Sequence, residues 1–134
     1  MKESDIHKSI IEWTKQKYPT VLINTDSSGI KLNVGQAMQM KRLRNGNGYP
    51  DISIYSKGSL GSALFIEVKN TSPYKNNGEL FSETHLQEQD DMRISLLEQG
   101  YHCEFVWSLE QAKELITRHL NHITPYNVGW FKIS

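Results

Sequence analysis

The sequence is short of cysteine, of net charge and of long apolar runs, and each shortage excludes something. A single cysteine in 134 residues, Cys103, rules out an internal disulfide framework and a cysteine-based structural zinc site. It sits in Cys103-Glu104-Phe105-Val106-Trp107, where a buried, unreactive thiol is expected. No apolar run approaches the ~18 residues that span a bilayer. Met1-Lys2-Glu3-Ser4-Asp5 leads into an amphipathic segment instead of a signal-peptide core. A cytoplasmic protein without a membrane partner is therefore expected. Gly-rich phosphate loops, a serine triad and a Cys/His dyad are missing too. So are repeats, low-complexity tracts and any linker long enough to divide the chain. One domain over residues 1–134 is expected, with a core at about 3–120 and a tail at 121–134.

The formal net charge is zero, from 15 Lys+Arg and 15 Asp+Glu, which excludes a uniformly basic, histone-like protein. Zero is a cancellation, however. Residues 1–50 carry 8 basic and 4 acidic side chains, and residues 51–134 carry 7 and 11. The stretch 31–48 holds Lys31, Lys41, Arg42 and Arg44 with no acid. It reads as an exposed basic excursion with a short helix over 36–43.

Hydrophobic periodicity supplies the elements. Ile6, Ile10, Ile11 and Trp13 share a helical face over 4–17, with Ser4 or Asp5 as N-cap and Pro19 beyond the end. Strands are expected at 21–24, 51–55, 63–69 and 101–107. A second helix at 83–99 has Leu86, Met92, Ile94, Leu96 and Leu97 as its apolar side and Gly100 as its stop. A third begins after Ser108, with Gln111 completing a capping box. The order is helix, strand, excursion, strand, strand, helix, strand, helix, an α/β fold.

Chemistry concentrates at Gly48-Tyr49-Pro50-Asp51 and Glu67-Val68-Lys69. Pro50 is tolerated at a strand start. Glu67 and Lys69, two apart on a strand, point to one face. If the two strands pair, Asp51 comes to lie near Glu67, and two carboxylates and an ammonium converge. A Glu-x-Lys on a solvated strand would be a surface pair worth ~0–1 kcal/mol. Here Phe65, Ile66 and Val68 make both strand faces apolar, so a solvated face is less plausible. An Asp and a Glu completed by water and phosphate suit Mg²⁺ or Mn²⁺, with the Val68 carbonyl as a further candidate ligand. Lys69 is then placed to orient a water or steady phosphoryl oxygens. The basic residues Lys31, Lys41, Arg42 and Arg44 precede this edge and would position a nucleic-acid backbone. The turn-rich stretch 70–82, with Tyr74 and Lys75, is a second candidate contact. His119 and His122 lack a third ligand and make a poor metal pair.

Those two motifs, with a helical glutamine eleven residues before Gly100-Tyr101, resemble the VRR-NUC family, a branch of the PD-(D/E)XK nucleases. The resemblance implies a restriction-endonuclease-like core: a central mixed four-stranded sheet flanked by helices in the order α-β-β-β-α-β-α. It implies metal-binding acids at Asp51 and Glu67, a catalytic lysine at Lys69 and a motif glutamine at Gln89, with Gln87 in reserve. The family's first-helix glutamate matches Glu3, with Glu12 as the alternative; His7 stands where the family has glutamine and would contact phosphate or water. Asn24 and Gly29 resemble residues lining the DNA entrance. Small stand-alone phage and bacterial members resemble homodimeric Holliday-junction resolvases, and fused members cut flaps or act as exonucleases. The resulting expectation is an Mg²⁺- or Mn²⁺-dependent DNA endonuclease acting on branched or duplex DNA. The alternatives are a nucleic-acid-binding module without catalysis and a flap or single-strand nuclease.

Overall fold

In the computed structural model, which describes residues 2–25 and 50–126, the expected elements appear within two residues of their predicted ends. They are α1 (Glu3–Lys17), β1 (Ile23–Thr25), β2 (Ile52–Ile54), β3 (Leu64–Val68), α2 (Thr84–Glu98), β4 (His102–Val106) and α3 (Leu109–His119). Lys31, Lys41, Arg42 and Arg44, Gly29 and the helix expected over 36–43 lie outside the described residues. Among those residues no helix is long and apolar enough to cross a membrane.

The strands form one sheet in the order β1-β2-β3-β4. Residues 55–63 join β2 to β3, which pair antiparallel with Ile52 opposite Ile66 and Ile54 opposite Leu64. The longer connection through α2 brings β4 alongside β3 in parallel, Glu67 opposite Phe105 and Val68 opposite Val106, as a helical crossover does. The sheet is therefore mixed. Every residue of β3 is buried, which makes it the strand covered on both faces.

Alternation divides the two faces. Leu64, Ile66 and Val68 join Ile52, Ile54 and Val106 beneath Ile6 and Ile10 of α1 and Ala112, Leu115 and Ile116 of α3. Each Ile, Leu or Val among them contributes about 1.5–3 kcal/mol on burial. The opposite face holds a much smaller cluster of Ala63, Phe65 and Cys103, with Leu96 of α2 packed against it. Burial raises the Cys103 thiol to about 12, so it is the unreactive thiol its setting predicted.

The ends of the helices show where local rules held and where packing overrode them. α2 closes as a Schellman motif: Tyr101 N–H donates to Leu96 O, Gly100 N–H to Leu97 O, and Gly100 takes φ +89°, a conformation that favours glycine. Ser108 Oγ accepts from Gln111 N–H at 3.2 Å, while the Gln111 side chain accepts from Trp107 N–H at 2.7 Å. The box thus reaches one residue further back than expected. α1 starts earlier than predicted, with Lys2 as its cap residue and no side-chain cap, and this puts Glu3 in the first turn. The apolar side expected of α2 is not a buried face: Leu86 is buried and Leu96 packs, but Ile94 and Leu97 are exposed. At the far end of the sheet, buried His119 donates from Nε2 to Ser56 O at 2.6 Å. Gly58 lies against it so closely that a Cβ there would sit 2.0 Å from His119 O.

Candidate active site

Glu67 is the odd residue on β3. It points to the α2 face beside Phe65, is only 6% exposed, and carries an ionisable group where the strand is otherwise apolar. The cost of burying such a group demands a partner. Gln89, itself buried on α2, donates from its amide to Glu67 Oε1 at 2.6 Å. Glu67 Oε2 and Gln89 Oε1 are buried with no hydrogen-bond partner among the described residues. Gln87, the reserve candidate, is exposed.

Asp51 is delivered by the antiparallel register: it precedes Ile52, the partner of Ile66, and so approaches the Glu67 end of β3. Its Oδ2 accepts from the Val68 N–H at 2.9 Å, which fixes the carboxylate beside Glu67. A strand residue's N–H and C=O face the same neighbour, so the Val68 carbonyl also looks toward this edge, where Pro50 has no N–H to give it. Burial pushes the Glu67 carboxyl from about 4.5 up to about 9; the Asp51 charge adds to the rise and Lys69 opposes it. Lys69 follows two residues after Glu67, with its backbone N–H bonded to Val106 O at 2.8 Å.

Asp51, Glu67, Lys69 and Gln89 line one open cleft of about 470 Å³, together with Glu3, residues 70–73, Phe81, Glu83, His85 and Leu86. Glu3 reaches it from the first turn of α1. Glu12, on the same helix, is exposed and does not line it. His7 is buried, and its Nε2 hydrogen-bonds Thr25 Oγ1 at the end of β1, so α1 is pinned to the sheet just below Glu3. Burial lowers the His7 pKa and the nearby Asp51 charge opposes that. The imidazole is thus placed to brace the site, not to meet solvent. Asn24 is half-buried on β1 opposite Ser53 and does not line the cleft. Tyr74 turns away from it, edge-on to Phe105 and Trp107, whereas Lys75 is exposed at the loop's turn.

No three His, Cys, Asp or Glu side chains among the described residues are grouped to chelate an ion by themselves. Mg²⁺ and Mn²⁺ do not need such a cage, since Mg²⁺ is held by one or two carboxylates and keeps several waters. Asp51, Glu67 and the Val68 carbonyl are oxygen donors of that kind, and Glu67 Oε2 is a buried oxygen without a hydrogen-bond partner among the described residues. The donor set fits a hard divalent cation.

Two cleft residues escaped the sequence reading. His85 lies one turn before Gln89, and its Nε2 is 3.3 Å from the Gln89 amide nitrogen; the i, i+4 spacing was the available signal. Phe81 follows Leu80 in a stretch read only as turn-rich.

An α/β core with a mixed four-stranded sheet and an acid pair at one strand edge defines the class of fold. That fold is the one seen in a solved VRR_NUC domain protein, to which this chain is similar with 16% identity, a TM-score of 0.63 and 92% of each chain covered. The chain thus has the VRR-NUC fold. No family model matches it, and no curated protein matches it.

Proposed function

We propose that this protein is an Mg²⁺- or Mn²⁺-dependent nuclease that hydrolyses DNA phosphodiesters, selective for branched DNA of the Holliday-junction type. The observation that carries it is the Glu67 carboxyl, buried beside Asp51, held by Gln89 and lacking a partner for one oxygen. A nucleic-acid-binding surface has no use for two convergent acids beside phosphate unless a cation lies between them. The likeness to a solved VRR_NUC domain protein supports the same chemistry.

Asp51, Glu67 and the Val68 carbonyl would hold the ion, with Glu3 beside it. A bound divalent ion acidifies a ligated water and stabilises charge developing on a phosphate under attack. The protein's own groups prepare the rest. Gln89 fixes the rotamer of Glu67, and the Val68 N–H fixes Asp51, so neither carboxylate needs to reorganise. Lys69 presents an ammonium to the same cleft, where it orients the attacking water and offsets phosphoryl charge. The basic residues Lys31, Lys41, Arg42 and Arg44 supply the charge that tracks the DNA backbone. Symmetric cutting of a four-way junction calls for two copies, so a homodimer accompanies this reading.

Cleavage of four-way junction, flap, nicked and linear duplex DNA, with Mg²⁺, Mn²⁺ or EDTA, tests it. Metal-dependent cutting that is lost in Asp51→Ala and strongest on the junction is expected. Cutting in EDTA, or full activity in Asp51→Ala, would contradict it.

A further inference from the structure

The loop between β3 and α2 is built as a small hairpin. Tyr74 pairs with Leu80, Lys75 N–H donates to Glu79 O at 2.6 Å, and Gly78 N–H donates to Lys75 O. Gly78 takes φ +87°, which supplies the reversal. Phe81 N–H then bonds the carbonyl of buried Pro73 at 3.0 Å. Paired residues put their side chains on one side of a ladder and the next residue on the other. Tyr74 accordingly packs on Phe105 and Trp107, while Phe81 faces the cleft that holds Asp51 and Glu67. Phe81 is 48% exposed on a backbone whose N–H and C=O are both hydrogen-bonded.

Lone exposed apolar residues are common and mean little. Phe81 differs in its place and in its charge surroundings. It stands in the wall of the acid-pair cleft, beside the small polar residues Thr71 and Ser72. Its loop, residues 70–83, carries one lysine against Glu79 and Glu83. A loop of that charge does not attract phosphates. What it offers is an aromatic face, and the part of a nucleic acid that is uncharged and takes an aromatic face is the base. Inside a duplex both faces of every base are already stacked; only an unpaired base can present one.

We infer that Phe81 is a base-stacking residue that takes an unpaired nucleobase next to the phosphodiester held in the Asp51–Glu67 cleft, and so selects DNA whose bases are free at a flap or open at the branch point of a junction, over continuous duplex. This deepens the nuclease reading and rests on it for the position of the cut, while the stacking itself is measurable without catalysis.

The test uses the full chain and a flap DNA carrying 2-aminopurine as the first unpaired base. Binding and fluorescence are read in EDTA, where hydrolysis is not expected, and again with Mg²⁺. Wild-type protein quenches the probe. Phe81→Ala abolishes the quench and weakens binding of the flap relative to a fully paired duplex by roughly 5- to 150-fold, the range of one base–aromatic stack; Phe81→Trp restores both. The ratio of flap to duplex cleavage falls in parallel. A wild-type complex without quenching, or an unchanged flap-to-duplex ratio in Phe81→Ala, overturns the inference. So does a fall of several degrees in the melting temperature of Phe81→Ala, which would show that the ring packs against protein. Quenching lost in Phe81→Ala, with no cutting of any DNA in Mg²⁺, supports the inference and removes the nuclease reading alone.

Discussion

The two faces of the β2–β3–β4 sheet are made from the same strands but have opposite characters. Toward α1 and α3, β2 and β3 present only Ile, Leu and Val, with Val106 of β4 beside them, and the helices contribute Ile6, Ile10, Leu115 and Ile116 in return. Toward α2 the cluster is small, Ile94 and Leu97 of the covering helix are exposed, and the buried partners are a carboxyl and an amide, Glu67 and Gln89. One face stabilises the fold. The other spends part of the sheet's buried area on a group whose ionisation is held back, as expected where a site must receive a cation. β3 belongs to both, so parity alone makes Ile66 and Val68, one place either side of Glu67, stabilising residues and Glu67 itself a chemical one.

That contrast can be broken in a definite order. The largest effect is expected from Lys69→Ala, which lowers metal-dependent DNA cleavage about 10²–10³-fold and leaves the melting temperature within a couple of degrees; single-turnover rates and a thermal melt check both. On the other face, Ile116→Ala, at a fully buried position, costs about 2–5 kcal/mol of stability in denaturant unfolding. Its cleavage rate per folded molecule stays at the wild-type level.

A smaller effect sharpens the comparison on the Glu67 side. Its folded pKa is raised, so in metal-free protein its contribution is complete below about 4.5 and is lost as pH rises toward about 9, because the unfolded chain releases the proton first. Stability of the metal-free protein therefore falls across that window. Glu67→Gln, which keeps the shape and removes the titration, flattens the slope in unfolding curves taken at several pH values.

The smallest expected effect comes from His119. Burial lowers its pKa below the ordinary 6.5; its bond to Ser56 opposes this, and His102 and His122 add to the lowering. Its contribution is complete above about 6.5 and is lost as pH falls through the lowered value. The melting temperature should decline on the acid side, and His119→Gln, which can keep a donor for Ser56 O, should reduce that decline.

Much of this contrast was legible in the sequence because it is written in periods of two. Phe65-Ile66-Glu67-Val68 shows a strand buried on both faces with one charge in it, and Pro50-Asp51 shows a strand entry beside it. The antiparallel register then places Asp51 against Glu67. Gly100 and Ser108 marked helix ends through backbone chemistry that needs no tertiary information. What could not be read was how α2 sits. Its apolar residues are spread around the helix, so no stripe picks out the buried side, and Leu86 with Gln89 are selected by the position of Glu67 below. The His7–Thr25 bond joins residues 18 apart in sequence across two elements, and only packing reveals it. Phe81 and His85 were hidden for a similar reason: one follows from the ladder of a loop, the other from the neighbour of a glutamine whose own orientation had to be known first.

If the Asp51–Glu67 edge takes a cation as proposed, the ion must displace the proton that burial favours on Glu67. Calorimetric titration of the protein with Mn²⁺ at pH 7, in two buffers of different ionisation enthalpy, measures both the ion bound and the protons released. Saturable binding with release of about one proton per ion, lost in Glu67→Gln, is the predicted result. Binding with no proton release, or binding unchanged in Glu67→Gln, would contradict it.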